Sequence, residues 1–188
     1  MSKHDYVTIV SGLPRSGTSM MMKALDAGGI EPLIDHIRKP DEDNPRGYYE
    51  FEPVKQTKDD AAWLADAAGK VVKMVYRLLY DLPAGFDYRV VFMQRDLAEV
   101  LASQKKMLQR SGKPGGAIPD EQMAALFAGE LEKCQQWLRE QDRFSVLYVS
   151  HRDMIENPLP ECETINAFLD GGLDVQAMAA TVDPSLYR

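Results

Sequence analysis

The chain has 188 residues, a length that suits one domain with a sizeable core, and we take 1–188 as a single unit. Its net charge of −7 and pI near 5.0 argue against a non-specific nucleic-acid or anionic-membrane binder, so an anionic ligand has to be held by a local cluster of cations. Hydrophobic residues make up 45% and charged residues 27%, as in an ordinary globular protein, and no apolar run reaches the roughly 18–20 residues of a membrane span.

The N-terminal MSKHDYV has no signal-peptide pattern, and Cys134 and Cys162 lack metal-type spacing and read as thiols. Together these features predict a cytoplasmic protein.

Taken in chain order, the first apolar run predicts a strand over 6–11, ending in Ser11-Gly12. A helix is expected over 18–27, where Met21 and Leu25 repeat at i, i+4 and Gly28-Gly29 supplies the stop. Pro32 to Pro53 is polar and interrupted by Pro40, Pro45 and Gly47, so it reads as a long irregular segment, a type that is often functional. A helix is expected over 53–67, then a short strand over 70–75 and a buried parallel strand over 89–94.

Residues 97–109 have helical spacing, and Ser111–Pro119 is rich in Gly and Pro and reads as a lid or a connection. A long amphipathic helix over 120–141, a strand over 144–149 and helical pieces over 160–169 and 174–180 complete the chain. Strands alternating with helices predict an α/β fold with a central parallel sheet flanked by helices, three layers in all. Ligands of such sheets sit beyond the strand C-termini.

The segment between the first strand and the first helix carries the strongest signal. Gly12-x4-Gly17 has the spacing of a Walker A loop, a backbone that aims N–H groups and a helix N-terminus at an anion. The lysine that follows the second glycine in ATPases is absent, because Thr18 stands there. A cation stands inside the loop instead, at Arg15. The geometry therefore predicts a bound phosphate or sulfate with its countercharge placed differently from that in an NTPase.

Pro14-Arg15-Ser16-Gly17-Thr18-Ser19 resembles the 5′-phosphosulfate loop of the sulfotransferases that use 3′-phosphoadenosine-5′-phosphosulfate (PAPS), in particular small bacterial members with a P-loop nucleoside triphosphate hydrolase-like fold. A second likeness follows at the end of the third strand. Arg95-Asp96, with Ser103 eight residues after the arginine, resembles the 3′-phosphate site of that family, although Leu97 stands where proline is frequent.

The resemblance implies that Pro14, Arg15, Ser16, Gly17, Thr18 and Ser19 hold the 5′-phosphosulfate and that Arg95 and Ser103 hold the 3′-phosphate. Guanidinium suits the latter task because it grips phosphate oxygens in pairs. The likeness continues to Arg152-Asp153-Met154-Ile155-Glu156-Asn157-Pro158, similar to the family's Glu-Asp-Leu region after a strand. The Gly-rich, Lys/Arg-containing loop with which many members end has no counterpart before Arg188.

Lys73 lies within an apolar strand, where an amine is costly unless it reaches water or a partner. It reads either as a snorkelling strand-end lysine or as a cation beside the transferring group. Many cytosolic members of the family carry a histidine base two residues after this lysine, where this chain has Val75.

Glu50 is the best substitute, because Asn44-Pro45-Arg46-Gly47-Tyr48-Tyr49-Glu50 resembles a segment of many bacterial members. A carboxylate within hydrogen-bond reach can take the acceptor proton. His36 is the runner-up, and His151 is a weaker candidate.

The expected activity is therefore sulfuryl transfer from PAPS to a hydroxyl or amine of a small molecule, with Arg15, Lys73 and Glu50 catalytic and no metal required. Two other classes compete: a P-loop kinase or NTPase with Asp96 as metal holder, and a non-catalytic nucleotide-binding protein. Acceptor identity and oligomeric state are not legible in the chain.

Overall fold

The computed structural model describes residues 6–35, 37, 48–110, 112 and 118–183. Among them, four strands form one sheet: β1 (Tyr6–Gly12), β2 (Val71–Lys73), β3 (Asp87–Gln94) and β4 (Phe144–Ser150), in the order β2-β1-β3-β4. Every pairing is parallel. Val10 lies opposite Lys73, and Gly12 lies opposite Met93.

The chain runs from β1 outward to β2, then crosses back to build β3 on the other side of β1. This reversal opens a crevice at the C-terminal ends of β1 and β3, where ligands of such sheets bind.

Both faces of the sheet are covered, which is why its strands are almost continuously apolar. Side-chain alternation sends Val7 and Ile9 of β1 to one face, against Trp63, Leu64, Leu79, Val100, Cys134 and Leu138. The helices on that face are α2 (Leu97–Arg110) and α3 (Asp120–Arg139). Tyr6 and Val10 go to the other face and meet α1 (Thr18–Ala27), α4 (His151–Glu156), α5 (Pro158–Phe168) and α6 (Val175–Ala180) through Met21, Leu25, Met154, Ile165 and Met178. The fold is thus the expected α/β three-layer arrangement.

The start and stop of α1 agree with the sequence. Gly29 takes φ 105°, and the N–H groups of Gly29 and Ile30 donate to Asp26 O and Leu25 O, each at 3.0 Å, which is the left-handed glycine termination.

The helix expected over 53–67 does not form. Two 3₁₀ helices, Glu52–Gln56 and Ala62–Asp66, stand there instead. The Thr57 hydroxyl donates to Val54 O at 2.7 Å and accepts from Trp63 Nε1 at 3.1 Å, while Asp60 Oδ1 accepts from the Ala62 N–H at 2.9 Å. These local bonds compete with the helical ladder and break the segment.

The strand expected over 70–75 shortens to Val71–Lys73, and Tyr76–Asp81 forms a third 3₁₀ helix. Helix α4 was not anticipated from the sequence. It starts immediately after β4, with Ser150 Oγ accepting from the Asp153 N–H at 3.2 Å. His36, residues 44–47, most of the Ser111–Pro119 segment and Arg188 lie outside the described residues.

Candidate functional site

The loop between β1 and α1 is shaped by two glycines that tolerate no side chain. Gly12 has φ 144°, and a Cβ there would lie 2.7 Å from both Met93 O and Ser16 Oγ. Gly17 has φ 97°, and its Cβ would lie 2.4 Å from His151 Cδ2. Ser16 is buried. Its hydroxyl and its N–H both donate to Leu13 O, at 2.7 and 3.2 Å, so this serine holds the loop closed on itself. Arg15 has φ 71°, a left-handed conformation that turns its carbonyl and side chain toward β3 and α2.

Gly17 occupies the N-cap of α1, so no side chain there accepts from the first amides, and no acidic residue lies in the first turn. The positive end of a ten-residue helix is thereby presented to the loop with no acidic side chain of its own first turn to offset it. Thr18 and Ser19 are half-buried on that turn, and Pro14 is exposed at the loop's tip.

On the β3 side, Arg15 meets two residues far from it in sequence, Arg95 and Ser103. Arg15 Nε donates to Ser103 Oγ at 3.0 Å, and Arg95 Nη1 donates to Arg15 O at 3.1 Å. Arg95 follows β3 directly, and its side chain is only 9% exposed. Its Nε lies 3.0 Å from Glu99 Oε2, while Arg152 Nη2 lies 3.2 Å from Glu99 Oε1. Asp96 Oδ1 accepts from the Glu99 N–H at 3.1 Å, so its carboxylate caps α2.

His151 is buried beside Gly17. Its pKa is pushed down to about 4, chiefly by burial and then by the charge of Arg95, with Glu99 acting weakly in the other direction. It is a neutral ring packed under the loop.

On the β2 side, Lys73 reaches the same crevice from the end of its strand. Its Nζ donates to Tyr48 O, lies 3.5 Å from Ser19 Oγ and lies 3.9 Å from Glu50 Oε1. Ser19 Oγ in turn donates to Tyr48 O at 3.4 Å. Lys73 and Glu50 keep 14% and 24% of their side-chain surface exposed. Val75, two residues on, is an exposed apolar side chain with no proton to exchange.

The loop residues, Arg95 and Ser103 therefore meet on one side, and Ser19, Lys73 and Glu50 on the other. The sequence reading did not single out the Tyr48 carbonyl, Glu99 or Arg152. The spacing Asp96-x-x-Glu99 was a visible cap signal, whereas the Arg152 contact had none. Among the described residues no group of three or more His, Cys, Asp or Glu side chains is placed to hold a metal.

No family model and no curated protein matches this sequence. Solved structures do match in shape. The sulfotransferase domain of the Synechococcus PCC 7002 olefin synthase superposes with TM-score 0.62 at 13% identity, over 100% of this chain and 87% of that one. A sulfotransferase of Mycobacterium tuberculosis H37Rv gives 0.60 at 19% identity, over 94% and 71%. The sulfotransferase domain from the curacin biosynthetic pathway gives 0.57 at 13% identity, over 99% and 90%. At these identities the likeness establishes a shared fold.

Proposed function

We propose that the chain is a sulfotransferase that takes its sulfuryl group from PAPS and passes it to a hydroxyl or amine of a small molecule. The observation that carries this reading is the convergence of Arg15, Arg95 and Ser103 beside a Gly-x4-Gly loop that lacks the NTPase lysine. A 5′-phosphosulfate alone needs only the loop, the α1 N-terminus and nearby cations. The β3-side cluster is a second anion subsite, and it calls for a nucleotide with a second phosphate.

The residues fit that ligand. The loop amides, with Gly12 and Gly17 keeping side chains out of the way, would receive the phosphosulfate, helped by Thr18 and Ser19. Ser16 and Pro14 shape the loop around it. Arg95 and Ser103 would receive the 3′-phosphate. Arg15 joins the two subsites, its backbone in the loop and its head group on Ser103.

When bound, the donor supplies a sulfuryl group whose bond to the 5′-phosphate breaks as the acceptor oxygen or nitrogen attacks sulfur. Lys73 and Arg15 offset the negative charge left on the phosphate side. Glu50 takes the proton from the acceptor, a role its position 3.9 Å from Lys73 and its partial exposure allow. These cations are side chains, so the scheme has no step for a metal.

A kinase or NTPase reading needs Asp96 as a metal holder, and that carboxylate is engaged in capping α2. A non-catalytic nucleotide binder would share the site and differ only in turnover.

The test is calorimetric titration of the wild type and Arg95→Ala with adenosine-3′,5′-bisphosphate and, separately, with ATP and magnesium. The expected result is bisphosphate binding that exceeds ATP binding and falls sharply in the variant. A preference for ATP-magnesium, or indifference to Arg95, overturns the proposal.

A further inference from the structure

The second anion subsite has a cation that its strand-end motif does not contain. We infer that Arg152, at the start of α4, is a second guanidinium of the 3′-phosphate subsite, held in place by Glu99. This inference rests on the PAPS reading above and adds to it a residue that determines specificity for the bisphosphate nucleotide.

Glu99 Oε2 receives Arg95 Nε at 3.0 Å, and Glu99 Oε1 receives Arg152 Nη2 at 3.2 Å. One carboxylate thus sets two guanidinium groups side by side, taking one N–H from each. Two arginines and one glutamate leave the trio with a net charge of about +1, attractive to a phosphate dianion, whereas the Arg95–Glu99 pair alone is neutral. Without Arg152, Glu99 would offset the charge of Arg95 and leave the subsite leaning on Arg15. With Arg152, the carboxylate becomes a brace between two cations.

The backbone fixes where Arg152 stands. His151, its neighbour, packs its ring edge against Gly17 at the N-terminus of α1, and the Ser150 cap on the Asp153 N–H fixes the turn on the other side. Arg152 is therefore anchored at the rim of the phosphate loop rather than placed anywhere on an open surface. Its side chain is 60% exposed against 9% for Arg95, so one guanidinium lies deep and the other meets the ligand from solution. A phosphate, with three terminal oxygens, is the anion that uses both.

The experiment compares adenosine-3′,5′-bisphosphate with adenosine-5′-monophosphate by calorimetry on wild type, Arg152→Ala and Arg152→Lys, each checked for an unchanged circular dichroism spectrum. Arg152→Ala is expected to weaken the bisphosphate about tenfold while leaving the monophosphate within about twofold, and Arg152→Lys is expected to recover part of the loss. Arg152→Ala that binds the bisphosphate like wild type, or that weakens both nucleotides equally, overturns the inference while leaving the PAPS reading intact. A wild type that does not prefer the bisphosphate overturns the PAPS reading itself, and this inference with it.

Discussion

Arg15 and Ser103 stand 88 positions apart in the chain, and the arginine's Nε donates to the serine's Oγ at 3.0 Å. The bond ties the loop after β1 to the helix after β3 across the point where the strand order reverses. It also explains the left-handed backbone at Arg15, φ 71°, which aims the side chain at α2. A non-glycine residue in that region carries a cost of about 1–3 kcal/mol, so the surrounding contacts have to hold it there.

The first prediction concerns that pair. Ser103→Ala removes one hydrogen bond and should weaken adenosine-3′,5′-bisphosphate about threefold to tenfold. Arg15→Ala removes a charge as well and should weaken it about tenfold to a hundredfold, with a larger loss in turnover. Calorimetry and steady-state kinetics on both variants check this. Unchanged turnover in Arg15→Ala would sink the assignment.

Glu50 separates an enzyme from a binder. Glu50→Gln keeps size and hydrogen-bonding groups but cannot accept the proton. It should lower kcat about 10²–10⁴-fold, with bisphosphate affinity nearly unchanged. The measurement is single-turnover sulfuryl transfer to an acceptor found by screening, beside calorimetry on the same preparation. Full activity in the variant would remove Glu50 as the base.

Gly17→Ala tests the loop's geometry. At φ 97° the new methyl is strained, and it would lie 2.4 Å from His151 Cδ2. The expected destabilisation is about 2 kcal/mol, a fall of roughly 4–8 °C in Tm, together with lost nucleotide binding. Thermal melts with and without the bisphosphate should show a lower Tm and no ligand-induced rise.

His151 makes stability depend on pH. Burial first, then Arg95, lowers its pKa to about 4 from an ordinary value near 6.5. Between those values the unfolded chain binds the proton and the folded one does not, so stability rises with pH through that window and falls as the medium is acidified. The contribution is about 3 kcal/mol when the full window is crossed. Chemical denaturation from pH 7 down to pH 4 should show this loss, and His151→Phe should flatten that part of the profile. An identical slope in the variant would assign the acid sensitivity to other groups.

Much of the fold was written in local pattern. The glycine pair ending α1, the buried run of β3 and the periodic faces of α2 and α3 each follow from propensities that act over a few residues. The misreadings have the same cause in reverse. The segment 53–67 is expected as one helix, but Thr57 and Asp60 bind nearby backbone and divide it. Helix α4 was hidden because its six residues are too few to display a period.

The sequence by itself determined the make-up of the β1–α1 loop and of the segment after β3: two glycines five apart, an arginine within the loop and no lysine after the second glycine, and an arginine and serine eight apart downstream. Backbone sterics and charge dictate what such residues do wherever they occur. Only the tertiary structure decided which of them meet. The parallel sheet with its β2-β1-β3-β4 order brings the ends of β1, β2 and β3 to one crevice, so Arg15 finds Ser103, Lys73 finds Glu50, and Arg152 reaches Glu99 from a helix 53 positions away. Contacts between distant segments depend on how strands pair and cross over, and no local rule encodes that pairing.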